Sequence, residues 1–175
     1  LCRATPINEF KMDDDAPIYM ITNLDTGKES SSSRNFTGRG RALYTNGETY
    51  EGDYVDGQRE GTGTYTYKNK YTYEGAWVAN RKQGPGVFTY RKKGRYEGDF
   101  HAGQREGTGT FFYPNGDTYV GAWAQGSKNG IGRYTFAARG QYFDGEWLAN
   151  AFVKGVWFVR EGLRLEGQFE RNMPH

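Results

Sequence analysis

The chain has 175 residues, about the length of one ordinary domain, yet it carries 26 glycines where average usage of about 7% predicts roughly 12. Aromatic residues make up 17% while aliphatic residues are scarce, which argues against a compact Leu/Ile/Val core and for rings lying against glycines. The net charge of +2 argues against a dedicated nucleic-acid binder, and no apolar run approaches the roughly 18 residues that a membrane-spanning helix needs.

Residues 1–35 carry no repeat. Asp13-Asp14-Asp15 reads as a solvated acidic turn, Ile18 to Thr22 as a short strand, and Ser30 to Ser33 as a flexible link, so this segment is expected to be a separate arm or an N-terminal cap. The lone Cys2 has no partner for an internal disulfide, which fits a reducing compartment. From Phe36 a half-repeat with Gly38, Gly40 and Asn46-Gly47 leads into an array over residues 36–175.

That array is one unit copied six times. Tyr-x-Gly-x-(Trp/Tyr/Phe) and its variants start at Tyr50, Tyr73, Tyr96, Tyr119, Phe143 and Leu165, at spacings of 23, 23, 23, 24 and 22. A Gly-x-Gly pair follows each of the first four: Gly61 and Gly63, Gly84 and Gly86, Gly107 and Gly109, Gly130 and Gly132. Periods of this length signify stacked supersecondary units.

Inside a unit the period is two. Tyr50, Gly52, Tyr54 and Gly61, Gly63, Tyr65, Tyr67 fall on one face of a strand pair, and Glu51, Asp53, Thr62, Thr64, Thr66 on the other. Helix is disfavoured by two to four glycines per unit, each costing about 1 kcal/mol relative to Ala. Hairpin turns are expected at Gly57 to Glu60, Asn80 to Gln83, Gly103 to Glu106 and Gly126 to Asn129. Return turns fall at Asn46-Gly47, Lys68-Asn69-Lys70, Arg91 to Gly94, Pro114-Asn115-Gly116 and Ala137 to Gly140. The fold class is all-β: a single-layer, elongated, twisted antiparallel sheet of stacked hairpins. At about 4.8 Å per strand it grows roughly 9 to 10 Å per unit.

A Tyr or Trp ring cannot lie flat over a cross-strand neighbour that has a side chain, and glycine clears the space. The regularity breaks twice near the end. Tyr142 adds a residue before Phe143, and Val156-Trp157 replaces the second glycine after Gly155, so a bend or a cap is expected there.

Catalytic and ligand chemistry finds little purchase. Gly57 to Gly63 is followed by a Thr/Tyr strand, whereas a phosphate loop needs a helix N-terminus. Asp53-x-x-Asp56-Gly57 lacks the remaining oxygen ligands of a calcium loop. Cys2, His101 and His175 have neither metal-ligand nor triad spacing. The reading is therefore no enzyme, no metal and no cofactor.

Two surfaces remain. Lys68 and Lys70 in one return turn, with Arg91, Lys92, Lys93 and Arg95 in the next, should line one edge. They would either keep a solvated edge from aggregating or form a patch for anionic headgroups or an acidic partner. On the ring face Tyr54, Trp77, Phe100, Trp123 and Trp147 should form a repeating floor, with Tyr65, Phe88, Phe111 and Tyr134 beside them. With no second layer to cover them, some of these rings should stay open as a groove.

Tyr50-Glu51-Gly52-Asp53-Tyr54, Gly57-Gln58-Arg59-Glu60-Gly61-Thr62-Gly63 and Pro114-Asn115-Gly116-Asp117-Thr118-Tyr119 resemble MORN (membrane occupation and recognition nexus) repeats, over about residues 36–175. Gln58-Arg59-Glu60-Gly61 stands where members commonly carry Lys-x-His-Gly. The resemblance implies a non-enzymatic scaffold, cytoplasmic and tied to the cytoskeleton or to a ciliary or flagellar assembly such as a radial spoke. Protein partners would lie as a strand or helix in the aromatic groove, and open sheet edges would allow a homo-oligomer. It also implies, as alternatives, an acidic-phospholipid or phosphoinositide tether at a membrane, or an accessory targeting region of a larger enzyme. The start at Leu1 and the stop in mid-repeat suggest a piece of a longer protein.

Overall fold

The computed structural model describes residues 17–170 and 172–174. The acidic run Asp13-Asp14-Asp15, Cys2 and His175 lie outside the described residues. The strands are β1 (Ile18–Asn23), β2 (Glu29–Ser30), β3 (Gly38–Tyr44), β4 (Thr49–Val55), β5 (Gln58–Thr66), β6 (Thr72–Val78), β7 (Arg81–Thr89) and β8 (Arg95–His101). They continue with β9 (Gln104–Phe112), β10 (Thr118–Ala124), β11 (Ser127–Phe136), β12 (Gln141–Leu148), β13 (Ala151–Arg160), β14 (Leu163–Glu170) and β15 (Met173–Pro174). All fifteen join one antiparallel sheet, in chain order from β3 to β15, with β1 next to β3 and β2 outermost. A 3-10 turn over Arg91–Lys93 interrupts the pattern at one return turn.

One feature of register organises the sheet. Gly40 faces Gly52, Gly52 faces Gly63, Gly63 faces Gly75, and the pairing continues through Gly86, Gly98, Gly109, Gly121, Gly132, Gly145 and Gly155 to Gly167. Each strand from β3 to β14 thus gives one glycine to a straight row across the sheet. On that row lie the tyrosine rings: a Cβ at Gly86 would come within 2.5 Å of Tyr73 Cε2, and Gly63, Gly109 and Gly132 sit in the same way under Tyr50, Tyr96 and Tyr119. Each phenol then donates a hydrogen bond to a backbone oxygen three residues on, Tyr73 to Ala76 at 2.8 Å and Tyr119 to Ala122 at 3.0 Å.

The first glycine of each Gly-x-Gly does different work. Between Tyr54–Arg59 and Gly52–Gly63 the pairing slips, and Gly61 takes φ +65° at the slip, as Gly84 does at +74°. Such bulges add residues to one strand and sharpen its twist. Asp53 fills the first bulge, its carboxylate accepting from Thr62 N and Oγ1 at 3.0 and 3.2 Å, and Asp99 does the same for Thr108 at 3.2 and 3.1 Å.

The hairpin turns are shorter than the sequence suggests. They are the two-residue loops Asp56-Gly57, Ala79-Asn80, Ala102-Gly103, Gln125-Gly126 and Ala149-Asn150, with both residues at positive φ, for example +48° and +82° at the first. That geometry matches the right-handed twist of the flanking strands, so pairing resumes at once and Gln58, Arg81, Gln104 and Ser127 already begin strands. The extra residue before Phe143 makes no bulge either. β11 and β12 stay in continuous register from Gly130–Trp147 to Phe136–Gln141, and a four-residue return replaces the usual five.

Candidate functional site

The ring face is closed rather than open. Trp77 is 1% exposed and Trp123 5%, and Tyr54, Phe100, Trp147, Tyr65, Phe88 and Phe111 are equally buried; of the nine rings expected to line a groove, only Tyr134 is half-buried. The side chains themselves supply the missing second layer. Each tyrosine over the glycine row meets the next unit's ring edge-on: Tyr50–Trp77 at 5.3 Å, Tyr73–Phe100 at 4.9 Å, Tyr96–Trp123 at 5.0 Å and Tyr119–Trp147 at 5.2 Å. Such T-shaped pairs are favoured by the ring quadrupole. The indole N–H groups of Trp77, Trp123 and Trp147 donate to Gly63, Gly109 and Gly132 carbonyls at 3.2, 3.1 and 2.9 Å.

Between the rings runs a column of cations where the sequence suggests turns; they lie instead in β5, β7, β9 and β11. Arg59, Lys82, Arg105 and Lys128 are buried, one per unit, and each head lies over rings. Arg59 is 4.7 Å from the centroid of Trp77, Arg105 4.5 Å from Trp123, and Lys128 4.3 Å from Trp147. Lys82 Nζ donates to the Tyr67 hydroxyl at 3.0 Å. Arg59 donates to the Asn80 carbonyl at 3.0 Å and Arg105 to the Gly126 carbonyl. The signal for this column was the exact 23-residue recurrence of Arg or Lys, with Phe36 and Phe152 holding the corresponding places before and after it.

Burial sets the protonation of this face. It holds the phenols of Tyr50, Tyr54, Tyr65, Tyr73, Tyr96 and Tyr119 well above the usual tyrosine range. Burial, helped by the nearby Arg105 charge, lowers Lys128 to about 8. Two carboxylates anchor the return turns: Glu48 accepts from Tyr65 at 2.6 Å and from Lys68 N at 3.1 Å, and Asp117 from Tyr134 at 2.7 Å and from Ala137 N at 2.9 Å.

What the ring face still offers outward is a second set: Phe36, Tyr71, Tyr113, Tyr134, Phe136 and Trp157 are half-buried, packed on the closed core. At the N-terminal end a strap over residues 31–37 crosses from β2 to β3. Ser33 Oγ donates to Gly57 O at 3.0 Å, Gly57 N to Phe36 O at 2.8 Å, and the Phe36 ring meets Tyr54 at 5.4 Å. A cleft of about 400 Å³ lies there, lined by Pro17, Ser31 to Ser33, Tyr44, Tyr54, Arg59 and Asn80.

The basic residues do gather on the return-turn edge. Lys68, Lys70, Arg91, Lys92 and Lys93 are exposed, and no ion pair ties any of them among the described residues. Arg95 differs, paired with Glu97 at 2.9 Å and lying over the Phe112 ring at 4.7 Å. Phe112 belongs to the outer face, as does the stacked pair Tyr142–Phe158 at 4.9 Å, so that face carries rings as well as Thr and acids.

Among the described residues no group of three or more His, Cys, Asp or Glu is placed to hold a metal, and no helix is long and apolar enough to cross a membrane. Comparison with known proteins finds the MORN repeat at residues 50–70, 73–95, 96–118 and 119–141, a repeat family rather than an enzyme family. No curated protein matches the chain in sequence. Among solved structures the chain is similar to the SAS-4 (dCPAP) TCP domain of Drosophila melanogaster, determined in complex with a proline-rich motif of Ana2 (dSTIL). The identity is 16% and the TM-score 0.46, over 75% of this chain and 72% of that one. The four matched units are those whose tyrosines lie on the glycine row, and the chain belongs to the MORN repeat family.

Proposed function

We propose that the chain is a non-enzymatic scaffold that binds partner proteins along its ring face, in a cytoskeletal assembly such as a cilium or flagellum. The observation that carries the binding surface is the row of half-buried rings on a closed core: Tyr71, Tyr113, Tyr134, Phe136 and Trp157. Their backs are fixed by packing, so little side-chain entropy is lost when a partner covers their outer edges. This moves the contact set away from Tyr54, Trp77, Phe100, Trp123, Trp147, Tyr65, Phe88 and Phe111, which work as the core that presents it. The cellular setting rests on the family resemblance. Affinity purification from the native source tests the reading: Tyr113→Ser with Phe136→Ser should lose the bound proteins while the fold persists. Undiminished capture by that variant would sink it.

A second reading has its own observation. Five unpaired cations on one edge, Lys68, Lys70, Arg91, Lys92 and Lys93, suit an anionic membrane surface, each worth about 1 kcal/mol there. It predicts retention on anionic vesicles at low salt that is lost when these residues become Gln. No retention at low salt removes it.

A further inference from the structure

Indoles and phenols of the ring face touch along the sheet. Trp77 lies 5.2 Å from Tyr73 and 6.0 Å from Tyr65, and Trp123 lies 5.0 Å from Tyr96 and 5.3 Å from Tyr119. Trp147 lies 5.2 Å from Tyr119 and 6.3 Å from Tyr134. Phe100 bridges Tyr73 and Tyr96, at 4.9 and 5.2 Å. Indole and phenol are the rings that a one-electron oxidant, such as an oxygen-centred radical, oxidises, and at these separations an electron passes from ring to ring.

Where the missing electron settles depends on charge and on protons. An oxidised indole is a cation, and Trp77, Trp123 and Trp147 already lie 4.7, 4.5 and 4.3 Å from the heads of Arg59, Arg105 and Lys128. A second positive charge beside a buried cation is unfavourable where the dielectric is low. An oxidised phenol must shed its proton, and the hydroxyls of Tyr50, Tyr73, Tyr96 and Tyr119 donate to backbone oxygens, which do not take one up.

Tyr65 and Tyr134 differ. Tyr65 donates to Glu48 at 2.6 Å and Tyr134 to Asp117 at 2.7 Å, and both carboxylates are buried. Acid and tyrosine stand 17 residues apart both times. In the two units between, the corresponding rings are Phe88 and Phe111, without a hydroxyl, and Tyr71 and Gly94 stand in place of the acid. Burial and the neighbouring Glu48 hold the Tyr65 phenol well above the usual tyrosine range, so its proton leaves with the electron and not before it.

We propose that Tyr65 with Glu48, and Tyr134 with Asp117, are redox sites at which one-electron oxidation of the ring face comes to rest as a tyrosyl radical. The oxidant takes one electron from an indole. Tyr65 or Tyr134 returns one electron to that indole, its phenolic O–H bond breaks, and the proton passes to Glu48 Oε2 or Asp117 Oδ2. The products are the reduced oxidant, a neutral phenoxyl radical and a carboxylic acid. The charge gained thus cancels a carboxylate instead of adding to the cation column. Trp77 empties directly into Tyr65 and Trp147 into Tyr134, while Trp123 reaches Tyr134 through Tyr119 and Trp147. The chemistry is internal to the sheet and does not rest on the partner-binding reading.

Laser photoionisation of the tryptophans in the 175-residue chain, at a wavelength that tyrosine does not absorb and with nitrate to capture the ejected electrons, tests the proposal. Transient absorption should show the indole radical converting to phenoxyl radical at a rate that is independent of protein concentration and slower in deuterated water. Glu48→Gln with Asp117→Asn leaves each phenol an acceptor for its hydrogen bond but none for its proton, and should slow the conversion at least about tenfold. Tyr65→Phe with Tyr134→Phe keeps both rings, removes both hydroxyls, and should slow it as much. Near-ultraviolet circular dichroism matching the parent's verifies that the rings stay packed in at least one of the two variants. No conversion in the parent chain, a rate that scales with concentration, or a conversion that a packed variant leaves unchanged would each overturn the proposal.

Discussion

The phenol ring of Tyr50 occupies the space that a side chain at Gly63 would need: a Cβ there would overlap the ring carbons and the hydroxyl. The relation recurs at Gly86 under Tyr73, Gly109 under Tyr96 and Gly132 under Tyr119. Gly63→Ala is therefore expected to cost about 2 to 3 kcal/mol by overpacking. The same change should cost clearly less in a Tyr50→Ala background, where the clash is gone. A double-mutant cycle by urea unfolding measures the difference; additive costs would show that the ring and the glycine do not interact.

At the bulges a carboxylate replaces the missing ladder bonds. Asp99→Ala removes the acceptor for both Thr108 N and Oγ1, for an expected loss of about 1 kcal/mol because the site is exposed and water partly replaces the bond. Ala76 and Ala122 hold the corresponding position in the alternate units. Faster amide exchange at Thr108 is the local readout.

Lys128 gives a pH signature. Its folded value of about 8 lies below the 10.5 of a free lysine, so between about pH 8 and 10.5 the unfolded chain holds the proton that the folded chain has released. The stabilisation linked to this group is present above the unfolded value and is lost as pH falls through the folded one. Lys128→Met removes the penalty of burying the charge. That penalty reaches ~3 kcal/mol at most below pH 8, a figure already net of the attraction that the Trp147, Tyr134 and Tyr119 rings exert on the charge. The variant's advantage at pH 7 should therefore shrink between pH 8 and 9.5. A constant difference in denaturant midpoint across that range would contradict the assignment.

Phe36 closes the cation column at its N-terminal end by covering Tyr54. Phe36→Ala should cost about 2 to 4 kcal/mol by opening a cavity. Amides of residues 55–57 should exchange faster, because Asp56 N and Gly57 N bond to the strap at Thr37 Oγ1 and Phe36 O. Unchanged exchange there would mean that the strap does not hold the first hairpin.

The repeat, the all-β class and the two-faced ladder were legible because period-two alternation and a 23-residue spacing are properties of the sequence itself. Turn boundaries were not: Gln58-Arg59-Glu60 reads as polar turn material, and only the two-residue loop with both φ positive pulls it into β5. For the same reason Arg59 and Arg105 looked solvated, although their strict recurrence with Lys82 and Lys128 marked a structural place. The exposure of the rings could not be read from composition. It depends on whether Tyr50 reaches Trp77 of the next unit, which register alone decides. The basic edge was legible at Lys68, Lys70 and Arg91 to Lys93, since return turns share an edge in any stack of hairpins.

In the proposed function a closed aromatic core presents a row of half-buried rings to a partner. Hydroxyl-radical footprinting of the chain, alone and with the protein recovered in purification, tests this directly. In the free chain Tyr113 and Phe136 should react while Trp77 and Trp123 stay protected, and the partner should protect Tyr71, Tyr113 and Phe136. Reactive Trp77 and Trp123 in the free chain, or protection confined to the edge at Lys68, Lys70 and Arg91 to Lys93, would contradict it.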